Sequence, residues 1–163
     1  MVETSKLHSR IVWDCCWAQI PENKAYYFFT ASRDKTVKVW TQASGDSDKK
    51  WENVLGIQFK ESVTAIDVKY MPEIGKHVLA AGLDDGAISL IELDLEPAAD
   101  EKKIEAAVAV KVDSTITPSG RISKLVWNPH PENLVGLDCD KNPSNLLAIA
   151  SEDRSVRVLK VSV

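Results

Sequence analysis

Tyr26-Tyr27-Phe28-Phe29-Thr30-Ala31-Ser32 runs through Arg33-Asp34-Lys35 into Thr36-Val37-Lys38-Val39-Trp40, and this stretch leaves the backbone few choices. Aromatic and β-branched side chains favour the pleated, half-buried surface of a strand. An Asp between two charged neighbours can bond its own backbone and so cap a tight turn. The stretch therefore predicts a strand, a turn centred on Asp34, and a second strand ending at Trp40.

The pattern recurs twice. Superposed on Leu79-Ala80-Ala81-Gly82-Leu83-Asp84-Asp85-Gly86-Ala87-Ile88-Ser89-Leu90-Ile91 and on Leu147-Ala148-Ile149-Ala150-Ser151-Glu152-Asp153-Arg154-Ser155-Val156-Arg157-Val158-Leu159, it brings Asp34, Asp85 and Asp153 into coincidence. A shorter apolar run precedes each copy: Val12, Cys15, Trp17, then Val63, Ile66, Val68, then Ile122, Leu125, Trp127. A whole supersecondary unit is thus repeated. A period of roughly 40 to 45 residues with four strands per unit is the signature of a β-propeller blade, and longer intervals imply inserted loops.

The predicted fold is all-β: about three consecutive propeller blades over 1–163, at 8–59, 60–112 and 113–163. The first blade has strands near 11–17, 26–32, 36–41 and 51–59, and the second near 63–70, 77–82, 87–93 and 106–112. The third has strands near 122–127, 146–151 and 155–161 and lacks an outer strand; its long insertion, 128–145, holds Pro129, Pro131 and Pro143. Three blades fall short of the roughly four to eight that close a ring. The expectation is the C-terminal piece of a longer propeller, with Val2 to Leu7 as the tail of a preceding outer strand and the rest of its own propeller as partner. Alone, its open edges and apolar faces would favour self-association.

Composition narrows the function. A net charge of -4 argues against a strongly basic, nonspecific nucleic-acid binder. No apolar run approaches the roughly 20 residues that span a bilayer, and Met1-Val2-Glu3-Thr4-Ser5 lacks the basic-then-apolar pattern of a signal peptide. The expected setting is cytoplasmic, with the nucleus as a second compartment, and no membrane contact. Cys15, Cys16 and Cys139 have neither metal nor disulfide spacing. Cys15 is expected in the core.

The hairpin and its lead-in resemble a WD repeat, in which His8, Thr30, Asp34 and Trp40 stand where such repeats place a hydrogen-bonded tetrad. A carboxylate can accept from imidazole, the second ring nitrogen can engage a hydroxyl, and that hydroxyl can meet an indole N–H. No nucleophile elbow or oxyanion-hole motif accompanies the set, so it predicts a structural brace; no catalytic residue, metal site or cofactor is expected. Ser32 is a substitute candidate for Thr30. The other repeats keep the turn aspartates Asp85 and Asp153 but have Ile91 and Leu159 in place of Trp and no matching His, which predicts blades held mainly by apolar packing. His77 and His130 are expected at the surface. Arg10 and Arg121 precede inner strands, Arg33 flanks the first turn, and Arg154 and Arg157 flank the last; together they form a candidate basic strip for an acidic protein partner or RNA phosphate. The absence of interleaved aromatics for base stacking weakens the RNA reading.

Leu7-His8-Ser9-Arg10-Ile11-Val12-Trp13-Asp14-Cys15-Cys16-Trp17, followed by Phe28 to Trp40, resembles the late blades of the WD-repeat subunits of the Elongator complex, which are double propellers. The resemblance is most specific over 7–40 and would place the chain in the second propeller. It implies a noncatalytic scaffold that bridges other Elongator subunits in a complex modifying the wobble uridine of certain tRNAs, with a tRNA contact as a further expectation. A generic WD-repeat adaptor and an RNA-binding propeller module are the alternatives.

Overall fold

The computed structural model describes residues 7–18, 25–43, 51–95, 105–111, 118–129 and 145–161. Within them the chain forms eleven strands: β1 (Val12–Trp17), β2 (Ala25–Ser32), β3 (Thr36–Ala43), β4 (Glu52–Gln58), β5 (Val63–Met71), β6 (Lys76–Leu83), β7 (Ile88–Asp94), β8 (Glu105–Lys111), β9 (Ile122–Trp127), β10 (Leu146–Ser151) and β11 (Val156–Lys160). They pair antiparallel into sheets β1-β2-β3-β4, β5-β6-β7-β8 and β9-β10-β11. These are three blades of a β-propeller, the third showing three strands among the described residues. The expected lead-in strand at 2–7 and nearly all of the 128–145 insertion lie outside the described residues.

One backbone frame repeats in every blade. The N–H groups of Arg33, Asp84 and Glu152 donate to the carbonyls of Ile11, Ser62 and Arg121 at 2.9, 3.0 and 2.9 Å, tying each hairpin turn to the start of its inner strand. The inner strands each carry a β-bulge near their first residues, between Val12 and Asp14 in β1, Val63 and Ala65 in β5, and opposite Ala150 and Ser151 in β9. Lys35, Gly86 and Arg154 follow the three turn aspartates with φ of 69, 87 and 67°. Only the second blade places glycine where the left-handed conformation favours it.

The blades stack face against face around two apolar layers. Between the first and second lie Tyr27, Phe29, Val37 and Val39 against Ile66, Leu79, Ile91 and Leu93. Between the second and third lie Val78, Ala80, Ile88 and Leu90 against Ile122, Leu125, Trp127 and Leu147. Burying each such aliphatic or aromatic side chain contributes about 1.5–3 kcal/mol. A Cβ on Gly82 would lie 2.5 Å from Ile122 Cγ2, so Gly82 lets β9 approach the second sheet.

Among the described sheets, the second blade thus has a neighbour on both faces, and the first and third each have one on a single face. The middle blade is dry on both sides, with β6 buried from His77 to Leu83. His77, expected at the surface, is instead buried, its ring 5.1 Å from that of Tyr70. It lies on the strand sandwiched between two neighbouring sheets. Cys15 departs from expectation in the opposite direction. It occupies the register position of Ile66 and Leu125, both buried, yet is exposed, because no described sheet lies against that face of the first blade. Cys16, on the other face, packs against the first apolar layer.

Candidate interaction surface and the brace beneath it

The four residues of the expected tetrad converge on the first blade. His8 Nδ1 lies 2.9 Å from Asp34 Oδ2, His8 Nε2 lies 2.8 Å from Thr30 Oγ1, and Trp40 Nε1 donates to Thr30 Oγ1 at 2.9 Å. Because the indole donates to Thr30, the hydroxyl's own proton is available to Nε2. Nδ1 then carries the ring proton and donates to Asp34. Asp34 Oδ2 also accepts from Ser9 N at 3.0 Å, while Oδ1 accepts from Thr36 N at 3.1 Å and Thr36 Oγ1 at 2.6 Å. Burial alone would raise the Asp34 pKa, but the bonds from Thr36, His8 and Ser9 and electrostatic attraction to His8 bring it down to about 2. The His8 and Asp34 side chains are only 5% and 9% exposed. Trp40 stacks on Phe28 at 5.6 Å with planes 3° apart, and Trp17 and Trp51 extend the aromatic group. Ser32 serves the turn instead, accepting from Asp34 N at 3.1 Å and donating to the Arg10 carbonyl at 3.4 Å.

The third blade rebuilds part of this brace with other chemistry. Asp153 accepts from Ser155 N at 2.9 Å, from the Ser155 hydroxyl, from Arg157 Nη1 at 3.1 Å and from Ser119 N at 3.3 Å. The Ser155 bonds lead in holding its carboxyl well below the ordinary range. Arg157 thus donates to Asp153 as His8 donates to Asp34 in the first blade, and apolar packing is not the third blade's sole support. In the second blade Asp85 caps Ala87 N at 3.0 Å and is exposed.

The turns and inner-strand starts of all three blades collect at one end of the sheets, carrying most of the candidate arginines. Arg10, Arg33 and Arg154 are exposed there. Arg121 lies 4.2 Å above the Trp13 ring and reaches Asp84 at 3.7 Å and Glu152 at 3.8 Å. Glu61, Asp84, Asp85 and Glu152 interleave with these cations, so the rim is mixed in charge rather than a continuous basic strip. Trp13, 41% exposed, and Ile11 give it apolar contact surface. Arg and Trp beside apolar groups are favoured at the centres of protein interfaces.

Below this rim the inner strands bring together groups that sequence reasoning missed. Asp14 Oδ2 accepts from Ile66 N at 3.1 Å, and both Asp14 oxygens accept from Lys124 Nζ at 3.1 Å. Asp67 Oδ2 accepts from Trp127 N at 2.7 Å. Each aspartate thus caps the inner strand of the following blade. Burial raises the Asp67 pKa, and burial, then Asp67 and Asp14, push the Cys16 thiol far up, leaving it a poor nucleophile. The available signal was a charged residue placed within an otherwise apolar strand. Among the described residues no group of three His, Cys, Asp or Glu could hold a metal ion, and no helix is long and apolar enough to cross a membrane.

The repeated blade frame and the His8–Thr30–Asp34–Trp40 network define a WD-repeat propeller, and the family described as "WD domain, G-beta repeat" matches residues 2–41. Among curated proteins, the chain is 34% identical over 158 residues to Elongator complex protein 2 of Schizosaccharomyces pombe, covering 97% of this chain and 18% of that protein. Elongator complex protein 2 of Saccharomyces cerevisiae is 32% identical over 162 residues, 98% of this chain and 18% of that protein. The Arabidopsis thaliana protein of that name is 29% identical over 154 residues, 93% and 17%. The chain spans less than a fifth of the length of these relatives. Repeat and relatives together support a WD-repeat Elongator subunit segment.

Proposed function

We propose that this chain is part of a noncatalytic scaffold that docks other protein subunits of an Elongator-type complex acting in wobble-uridine tRNA modification, in the cytoplasm and nucleus. The observation that carries the noncatalytic reading is the closed bonding of His8, Thr30, Asp34 and Trp40. Each polar atom of the set is spent on another member or on the adjoining turn, and the His8 and Asp34 side chains are almost fully covered. A nucleophilic site needs a group free to meet substrate. The similarity to Elongator complex protein 2 along nearly the whole chain supports the choice of complex, and the rim of Arg10, Ile11, Trp13, Arg33 and Arg154 supports protein docking.

The test is to tag the protein carrying this chain in its own cells and purify it at moderate salt. Recovery of the remaining Elongator subunits in fixed proportion is expected. Their absence, with other proteins recovered instead, would leave a generic WD-repeat adaptor. Charge reversal at Arg10, Arg33 and Arg154 is expected to weaken subunit binding while leaving the salt dependence of tRNA binding nearly unchanged. A flattened salt slope would favour direct contact with RNA phosphates.

A further inference from the structure

The inner strands β1, β5 and β9 each stand at one end of their sheet's strand order, so alternate amides along them point away from the β-ladder and need another acceptor. Two aspartates supply one in the same way. Asp14 Oδ1 accepts from Cys15 N at 3.0 Å, while its Oδ2 accepts from Ile66 N at 3.1 Å. Asp67 Oδ1 accepts from Val68 N at 2.9 Å, while its Oδ2 accepts from Trp127 N at 2.7 Å. In both, one oxygen serves the residue after the aspartate and the other serves the next blade.

The two amides that share a carboxylate are equivalent. Cys15 and Ile66 stand opposite Thr30 and Ala81, which hold the same place relative to the turn residues Asp34 and Asp85. Val68 and Trp127 stand opposite Leu79 and Leu147, again equivalent relative to Asp85 and Asp153. Each carboxylate therefore ties the same step of two adjacent inner strands. The tie changes level from one junction to the next. The counterpart of Asp14 in the second blade is Ala65, and the counterpart of Asp67 in the first is Cys16, whose thiol burial keeps protonated. Two carboxylates thus avoid one level, where like charges would repel. Lys124 Nζ, 3.1 Å from both Asp14 oxygens, balances the first carboxylate without using a backbone amide. At the second junction β5 grips β9 further, with Thr64 Oγ1 donating to the Ile122 carbonyl at 2.6 Å and Lys69 Nζ to the Asn128 carbonyl at 3.0 Å. All of these contacts lie within the two junctions.

We propose that Asp14 and Asp67 are register latches between blades, each carboxylate holding two adjacent inner strands at one height so that its loss loosens both strands together. Trp13 adjoins Asp14, and Arg121 begins the approach to β9. The latches thereby set the heights at which Trp13, Asp84 and Arg121, one from each blade, meet at the rim. The inference rests on blade geometry and on no assignment of complex or substrate, so its failure leaves the scaffold reading standing.

The test is hydrogen–deuterium exchange of the intact protein carrying this chain, read by mass spectrometry over peptides that cover β1, β5 and β9. Asp67→Ala is expected to speed exchange at least about tenfold at Val68 and Trp127, as for loss of a bond to a charged acceptor, and to leave Cys15 unchanged. Asp14→Ala is expected to speed Cys15 and Ile66 to a similar degree and to leave Trp127 unchanged. Asp85→Ala, whose carboxylate caps Ala87 N in its own turn, serves as the control and should change neither β1 nor β9. Where an alanine variant fails to fold, the asparagine variant replaces it; it retains one neutral acceptor, and a smaller acceleration in the same two strands is expected. Acceleration confined to the strand that carries the substitution, equal acceleration in all three inner strands, or no acceleration would each overturn the proposal.

Discussion

Asp34 in the first blade is met by His8, Ser9 and Thr36, whereas Asp85, at the same turn position in the second, stands exposed and caps the Ala87 N–H. The difference follows what covers each sheet. The second blade is packed on both faces, and its β6 strand is buried from His77 onward. Apolar contact on two sides fixes it without help from its turn. The first blade packs its Phe29 and Val39 face on the second blade while Trp17 and Tyr26 on the other face remain exposed. There a polar network joins the lead-in to the hairpin. The third blade is intermediate, with one packed face and the partial Asp153–Arg157 brace.

The sharpest way to break this comparison is at the residue after each turn aspartate. Gly86 has φ +87°, and a Cβ there would collide with the Pro118 carbonyl oxygen. Gly86→Ala is expected to cost about 3 kcal/mol, from left-handed strain and displacement of the loop before β9. Lys35→Ala, at the equivalent position of the first blade, keeps the same backbone class and should change stability by about 0.5 kcal/mol. Urea unfolding monitored by tryptophan fluorescence measures both, and equal losses would mean that the two turns are packed alike. Next in size is Asp34→Ala. It leaves His8, Ser9 and Thr36 without their acceptor and should cost about 2–3 kcal/mol, against under about 1 kcal/mol for Asp85→Ala. If Asp85→Ala proved as damaging, apolar packing would not be what fixes the second blade.

Acid titration should separate two carboxylates of opposite sign. The Asp34 pKa is about 2 in the folded chain against an ordinary 3.8. Its contribution is complete above the ordinary value and disappears as pH falls from about 4 through 2, a loss of about 1 kcal/mol after allowance for solvent screening. Asp67 is raised by burial, so its contribution is present below the ordinary value and is lost as pH rises through the folded one. Comparing urea midpoints from pH 3 to pH 7, Asp67→Asn should gain on the wild type as pH rises. A constant difference would mean that Asp67 titrates alike in both states.

Strands and turns were legible because their information is local. Alternation across Tyr27, Phe29 and Ala31, and an aspartate placed to cap each turn, suffice to mark the three repeats. The His8 brace was legible for a related reason, since the repeat fixes all four of its positions. What lay beyond reach was the neighbour of each face. Cys15 and Ile66 read alike in sequence, yet one is exposed and the other buried. Asp14 and Lys124 stand 110 positions apart, and nothing local pairs them; their contact depends on where three inner strands converge. Arg157 read as part of a basic contact strip until the fold set it beside Asp153.

The smallest expected effect is also the one most specific to the shared frame. Lys35 and Arg154 adopt φ of 69 and 67°, a conformation that costs a residue bearing Cβ roughly 1–2 kcal/mol. Glycine removes that cost but adds freedom to the unfolded chain worth about 0.4–1 kcal/mol, so Arg154→Gly should stabilise the chain by about 0.5 kcal/mol. Lys35→Gly should gain less, because its ammonium donates to the Lys60 carbonyl at 2.8 Å and lies 3.4 Å from Glu61. A pair of thermal melts decides the matter. If Arg154→Gly were destabilising, its side chain would be contributing more than its backbone costs, and the third turn would not be the relaxed equivalent of the glycine turn in the second blade.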